Sequence, residues 1–265
     1  GKKIFSRLTN MDFMKAKING DLLWNDMYVV YSDTINVKAD RLNISLTIPD
    51  SGSADISNGL ASVVIDGTKL DASVADLIEA HLHDYNLNVH VSNILDEKVP
   101  MSVYADYDFS RIDAEMDDMT FFTNNPKGSI AMFMKENNKD ASYIAVYEGD
   151  SLAFAMGDEI NFATEKMGFN VSADYDEDQN DLLLQWNPHA GINLKKAVFA
   201  MSDIPTPIYI PSIGFQYDST GIEIKNSNVI LGNSDFELQG KLTNVDEFIR
   251  KEKLLKGKLD FTSNY

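Results

Sequence analysis

No cysteine occurs among the 265 residues. That excludes disulfides, a thiol nucleophile and thiolate metal ligation, and it leaves the redox compartment unread. Basic residues are scarce: 23 Lys and Arg stand against 41 Asp and Glu, a net charge of −18. Sequence-independent nucleic-acid binding depends on Lys and Arg displacing counterions from phosphates, so nucleic acid is not expected as a partner. Long hydrophobic runs are missing too. No window approaches the roughly 18 apolar residues of a transmembrane helix, and the opening Gly1-Lys2-Lys3-Ile4-Phe5 has no signal-peptide core. If a parent protein has an export signal or anchor, it lies outside this sequence. G-x-S-x-G, the P-loop and H-E-x-x-H are also absent, and catalysis has no positive support.

What the chain does have is alternation. Leu42, Ile44, Leu46 and Ile48 alternate with Asn43, Ser45 and Thr47, and Tyr85, Leu87, Val89 and Val91 with Asn86, Asn88 and His90. Two further sets begin at Met101 and Met167. Period two is the signature of strands with one covered face. Turn chemistry at Asp66-Gly67, Asn124-Asn125-Pro126, Glu148-Gly149-Asp150, Asp176 to Asp181 and Gly232-Asn233 predicts hairpins between them. The fold class expected is all-β and mainly antiparallel, as an elongated curved sheet or two packed sheets, with one or two short helices. The clearest helix runs over 245–256, with Asn244 and Glu247 forming a capping box and Gly257 as the stop. A second is conceivable over 71–82, although Leu70, Ala72 and Val74 also alternate. Ile130 to Met134 and Leu152 to Met156 are apolar on both faces and are expected in the most buried part of the sheet.

V-x-A-D recurs at Val37–Asp40, Val103–Asp106 and Val171–Asp174 with nearly equal offsets, which suggests repeat units near 30–100, 100–168 and 168–265 within one segment spanning 1–265. Among chemistry-bearing groups, His81 and His83 on a strand would share a face, but no third ligand is evident. Asp174, Asp176 and Asp178 have calcium-loop spacing, but Gln179 and Gln185 stand where Gly and Glu are required. Asp113, Glu115, Asp117 and Asp118 would suit an acid and base pair, yet acids are abundant throughout. The expectation is no metal, no cofactor and no catalytic residue.

The C-terminal stretch is more specific: Leu231, Gly232, Ser234, Asp235, Phe236, Leu238, Gly240, Leu242 and Asn244, then Leu255, Gly257, Leu259 and Ser263. This block resembles the AsmA-like family, whose C-terminal regions repeat L-G-x-S-D-F-x-L-x-G-x-L-x-N, a short helix and L-x-G-x-L-x-x-x-S. Asp12-Phe13-Met14 ahead of Gly20–Leu22 looks like a weaker copy of the same unit. The resemblance implies a periplasmic segment of an envelope protein, related to AsmA and TamB and anchored to the membrane by an N-terminal helix this sequence lacks. It implies lipid or acyl chains and envelope proteins as partners, and a role in lipid transport supporting outer-membrane biogenesis. Phe133, Phe154, Phe169, Phe215, Phe236 and Leu238 are the candidates for lining an apolar groove, with the many Met residues as adaptable filler. The alternative is an extracellular β-sandwich binding glycan or protein through Trp24, Trp186 and Tyr209.

Overall fold

The computed structural model describes residues 18–31, 34–48, 61–75, 77–92, 100–136, 139–218, 220–250 and 252–264; Asp12-Phe13-Met14 lies outside them. In chain order the elements are β1 (Ile18–Tyr31), β2 (Ile35–Ile48), β3 (Ala61–Val74), β4 (Ile78–Ser92), β5 (Ser102–Asp108), β6 (Arg111–Met116), β7 (Met119–Met134), β8 (Ala141–Met156) and β9 (Ile160–Tyr175). There follow α1 (Leu182–Trp186), β10 (Pro188–Met201), β11 (Ile208–Asp218), β12 (Gly221–Leu231), β13 (Ser234–Thr243), α2 (Val245–Ile249) and β14 (Lys256–Asn264).

All fourteen strands belong to one sheet, and every pairing is between antiparallel neighbours in sequence. The one apparent exception resolves simply. β5 pairs with one half of β4 and β6 with the other, and both face β7, so β5 and β6 are two pieces of a single broken strand. Thirteen strand positions about 4.8 Å apart make a sheet roughly 58 Å wide, and 14-residue strands make it roughly 46 Å deep.

A seam crosses the sheet near the middle of the strands. Asp26, Asp84, Asn125, Ser151, Lys196 and Asn226 have positive φ there, in β1, β4, β7, β8, β10 and β12. Register shifts accompany them in β7–β8 and β12–β13: Asn124↔Asp150 is followed by Lys127↔Glu148, and Ile224↔Gly240 by Ser227↔Leu238. An extra residue in one strand is a β-bulge, and it accommodates residues that a regular central strand rejects. Pro126 and Pro211 both sit on this line. Three stretches of turn chemistry therefore mark the seam rather than hairpins: Asp66-Gly67, Asn124-Asn125-Pro126 and Glu148-Gly149-Asp150 lie inside β3, β7 and β8.

Most of the buried residues gather beside the seam. Met27, Ala39, Leu42 and Tyr85 form the core of β1 to β4, and Thr123, Leu152, Thr164, Ala197 and Ser227 continue the buried line through β12. Within Ile130 to Met134 only Ala131 is buried, while Ile130 is 58% exposed and Phe133 40%.

The sheet's two ends differ. At the turn end β1–β2, β3–β4, β6–β7, β8–β9, β10–β11 and β12–β13 connect through two to six residues. The loop end carries the longer connections, including those that contain α1 and α2. The helix expected over 245–256 is a single turn, 245–249. Asn244 is left-handed and does not cap it; instead its side chain donates to the Leu254 carbonyl at 3.0 Å and accepts from the Lys256 amide at 2.9 Å. Gly257 is a strand residue opposite Leu242. Pairing β14 onto β13 from Thr243↔Lys256 onward ends the helix before the apolar stripe can extend it. Residues 71–82 form the end of β3, a turn and the start of β4, so the alternation there reads correctly. The V-x-A-D stretches fall in β2, β5 and β9, each with Val and Ala on one face and Asp on the other; β5 runs opposite to β2 and β9.

Candidate functional site

Cross-strand register assigns each residue to a face. One transverse row reads Leu22, Ile44, Ile65, Leu87, Tyr107, Gly128, Tyr147, Phe169, Ile192, Phe215, Ile224, Gly240 and Leu259, each directly opposite the next. No polar side chain but tyrosine interrupts it. The adjacent row on the other face reads Asn43, Asp66, Asn86, Asp108, Lys127, Glu148, Gly168, Asn193, Gly214 and Lys225. The sheet thus has an apolar face and a polar face across its whole width. Beyond strand neighbours, the elements in substantial contact are α1 with β9 and α2 with β12. Among the described residues no second layer covers the apolar face.

Tyrosines lie flat across that face. Tyr85 spans Gly67 to donate to the Arg41 carbonyl at 2.9 Å, and Tyr107 spans Gly128 to donate to the Val146 carbonyl at 3.1 Å. Tyr147 lies next to Gly149 and shares a 2.6 Å hydrogen bond with Thr123. A Cβ at Gly67 or Gly128 would strike both the tyrosine and a backbone carbonyl, so glycine is needed there for close approach. Burial raises the pKa of all three phenols, with the Tyr147 hydroxyl adding to the effect at Tyr107 and the Thr123 bond opposing it at Tyr147.

Of the six residues expected to line a groove, Phe154, Phe169, Phe215, Phe236 and Leu238 share the apolar face. Phe133 stands on the polar face between Ser102 and Ser142. Alternation carries no phase in a run apolar on both sides, which is why the sequence reading misplaced it. The same reading missed Phe121, Phe162 and Phe199, which lie directly opposite Phe154 or one another in a four-phenylalanine row. The period-two signal around Met119, Phe121 and Thr123 was there to find the first of them.

The polar face is laced with ion pairs and hydrogen bonds. His81 meets Asp71 at 2.7 Å, Lys69 meets Asp71 at 3.0 Å, and Arg111 holds both oxygens of Asp113 at 2.5 and 2.6 Å. Burial works to raise the Asp71 pKa, but hydrogen bonds from His81 and Lys69 with their charges hold it below the ordinary value. His81 and His83 do share a face, and among the described residues no group of three or more His, Asp or Glu is placed to hold a metal ion. Asp174 accepts from Ser142, while Asp176 accepts from the Asp178 amide and from Gln179, closing its own turn. Glu115 is a strand neighbour of Asp113, and Asp117 and Asp118 form the β6–β7 turn. A shallow hollow of about 310 Å³ lies between Phe122, Ala153, Ala155, Ala163, Val198 and Ala200 on this face.

Trp24 lies on edge strand β1, Trp186 packs on Tyr143 and Tyr175 at 5.6 and 4.9 Å, and Tyr209 is on the polar face. They form no common platform. Among the described residues no helix is long and apolar enough to cross a membrane. Compared with protein-family models, curated proteins and solved structures, the chain matches none.

Proposed function

We propose that this chain is the β-rich part of an AsmA-like envelope protein, periplasmic and membrane-anchored in its full-length form. On this reading its apolar sheet face binds acyl chains in support of lipid transfer and outer-membrane biogenesis, without catalysis. The observation that carries the reading is the uninterrupted apolar row across thirteen strand positions, with no described element laid over it. A surface of that extent in water must be covered by something. Each methylene it takes up from water is worth about 0.8 kcal/mol, so acyl chains need no specific polar contact to bind. The resemblance of residues 229–263 to the family block supports the same reading.

The test is saturable uptake of a dansylated fatty acid, with native mass spectrometry for lipid carried through purification. Phe154→Asp, on the apolar face, should weaken uptake at least tenfold, and Phe133→Asp, on the polar face, should leave it within twofold. Absence of any acyl binding by the unaltered protein sinks the proposal.

A further inference from the structure

The apolar face is not the same at its two ends. Its loop-end half carries Tyr85, Tyr107, Tyr143, Tyr147, Tyr175 and Tyr217 with only Phe169 and Phe215, whereas its turn-end half carries Phe121, Phe154, Phe162, Phe199, Phe236 and Phe261 with only Tyr31. Tyr85, Tyr107 and Tyr147 spend their hydroxyls near the seam. Tyr143, Tyr175 and Tyr217 lie nearer the loop end, where Trp186 packs against the first two. Tyr and Trp suit places where one side is apolar and the other wet.

The charges at the two ends differ as well. The described turn residues include Asp117, Asp118, Asp158, Glu159 and Asp203 and no Lys or Arg. At the loop end Lys135, Lys139, Arg250 and Lys253 stand among the acids. Lys139 pairs with Glu177 at 3.1 Å and Lys253 with Glu247 at 2.5 Å. A phosphate placed at the turn end would meet like charge with no counterion side chain, and one at the loop end would meet both signs.

From these two independent gradients we propose that an amphiphilic lipid lies along the strands in one orientation, headgroup at the loop end beside Tyr143, Tyr175 and Trp186, tails toward the phenylalanine half. This rests on the reading that the apolar face binds acyl chains. The class of ligand is a lipid with one polar end and long tails. A fatty acid or phospholipid qualifies; a hydrocarbon without a headgroup would bind without direction.

The test uses phosphatidylcholine spin-labelled either on the headgroup or at the tail terminus, added to the full chain. Two reporters are compared: Trp186 in a Trp24→Phe background, and a Phe162→Trp variant also lacking both native tryptophans, with Phe199→Trp as the substitute if that variant misfolds. The headgroup label should quench Trp186 at least threefold more than the turn-end reporter, and the tail label should reverse that ratio. The opposite pattern, or equal quenching of both reporters by both labels, overturns the orientation while leaving acyl binding intact. If native mass spectrometry finds no bound lipid, the proposed function fails and the orientation with it.

Discussion

On the apolar face neighbouring strands are joined by side chains that lie across them; on the polar face they are joined by side chains that stand up and pair at their tips. Tyr85 and Tyr107 reach over a glycine to a carbonyl two strands away. Their contacts are fixed by backbone geometry, so space is the limiting quantity. Across the sheet, Asn43 meets Asp66 at 2.9 Å in a half-buried pair, and Lys196 meets Glu165 at 2.7 Å and Lys166 meets Asp150 at 3.5 Å in exposed ones. Exposed pairs of this kind contribute little individually, and they keep one face in water. The lesson is that a single-layer sheet can draw its rigidity from one face and its solubility from the other.

The sharpest way to break that comparison is to place the same side chain under each face. At Gly128 a Cβ would run into the Val146 carbonyl and lie 2.7 Å from the Tyr107 hydroxyl, whereas at Gly168 its nearest neighbour is the Tyr147 carbonyl at 3.7 Å. Gly128→Val should therefore destabilise by about 3 kcal/mol or prevent folding, and Gly168→Val by less than about 1 kcal/mol. Urea denaturation of the two variants checks this, and equal losses would mean that both faces tolerate volume alike.

How much of this was legible follows from where the alternation has a phase. In the C-terminal block Phe236, Leu238, Gly240 and Leu242 alternate cleanly, and the strands, the Gly232-Asn233 turn and the shared face all stand as the sequence implies. Period two also places Phe169 and Phe215 on one face, whereas Phe154 lies beyond the seam in a run apolar on both sides, where alternation carries no phase. The seam was not legible, because Asn125-Pro126 and Gly149 carry the same local chemistry whether the chain reverses or bulges. Only the pairing of both neighbouring strands separates the two outcomes. Asn244 failed as a cap for a related reason: its side chain is taken by the backbone of residues 254–256, contacts that no local spacing announces.

A smaller effect comes from the hydroxyl that joins strands on the apolar face. Tyr85→Phe keeps the ring over Gly67 but leaves the Arg41 carbonyl without that donor, at a cost of about 1–2 kcal/mol. The same residue carries a pH signature. Its folded pKa is raised above the ordinary 10.0, chiefly by burial and then by the Asp66 charge. Stability from the neutral phenol is thus complete below about pH 10 and lost as pH rises through the folded value. Tyr107 and Tyr147 are shifted the same way, so the protein should unfold progressively above pH 10, and less steeply in Tyr85→Phe. Absorbance at 295 nm followed against pH, alongside circular dichroism, reads both events. Phenol ionisation completed while the sheet stays intact would contradict the flat, buried placement of these rings.

The smallest effect belongs to the polar face. Asp113 is held below the ordinary carboxylate range first by the two hydrogen bonds from Arg111, against an opposing burial effect, with the charges of Arg111, His83 and His81 adding to the lowering. A depressed pKa means that the folded chain binds fewer protons than the unfolded chain near pH 4, so this contribution is present above that value and disappears as pH falls through the folded pKa. Arg111 is about half exposed, and solvent screening keeps the pair weak. Asp113→Asn should lower the Tm at pH 7 by no more than about 2 °C. The gap between variant and unaltered protein should narrow as pH falls below about 4, which thermal melts at four or five pH values would resolve. A gap that does not narrow at all on acidification would show that Asp113 acts through packing around Phe122, over which the Arg111 guanidinium sits at 4.6 Å, rather than through its charge. A gap of many degrees at pH 7 would place a rigid, water-excluding contact on the polar face and erase the division of labour between the two sides of the sheet.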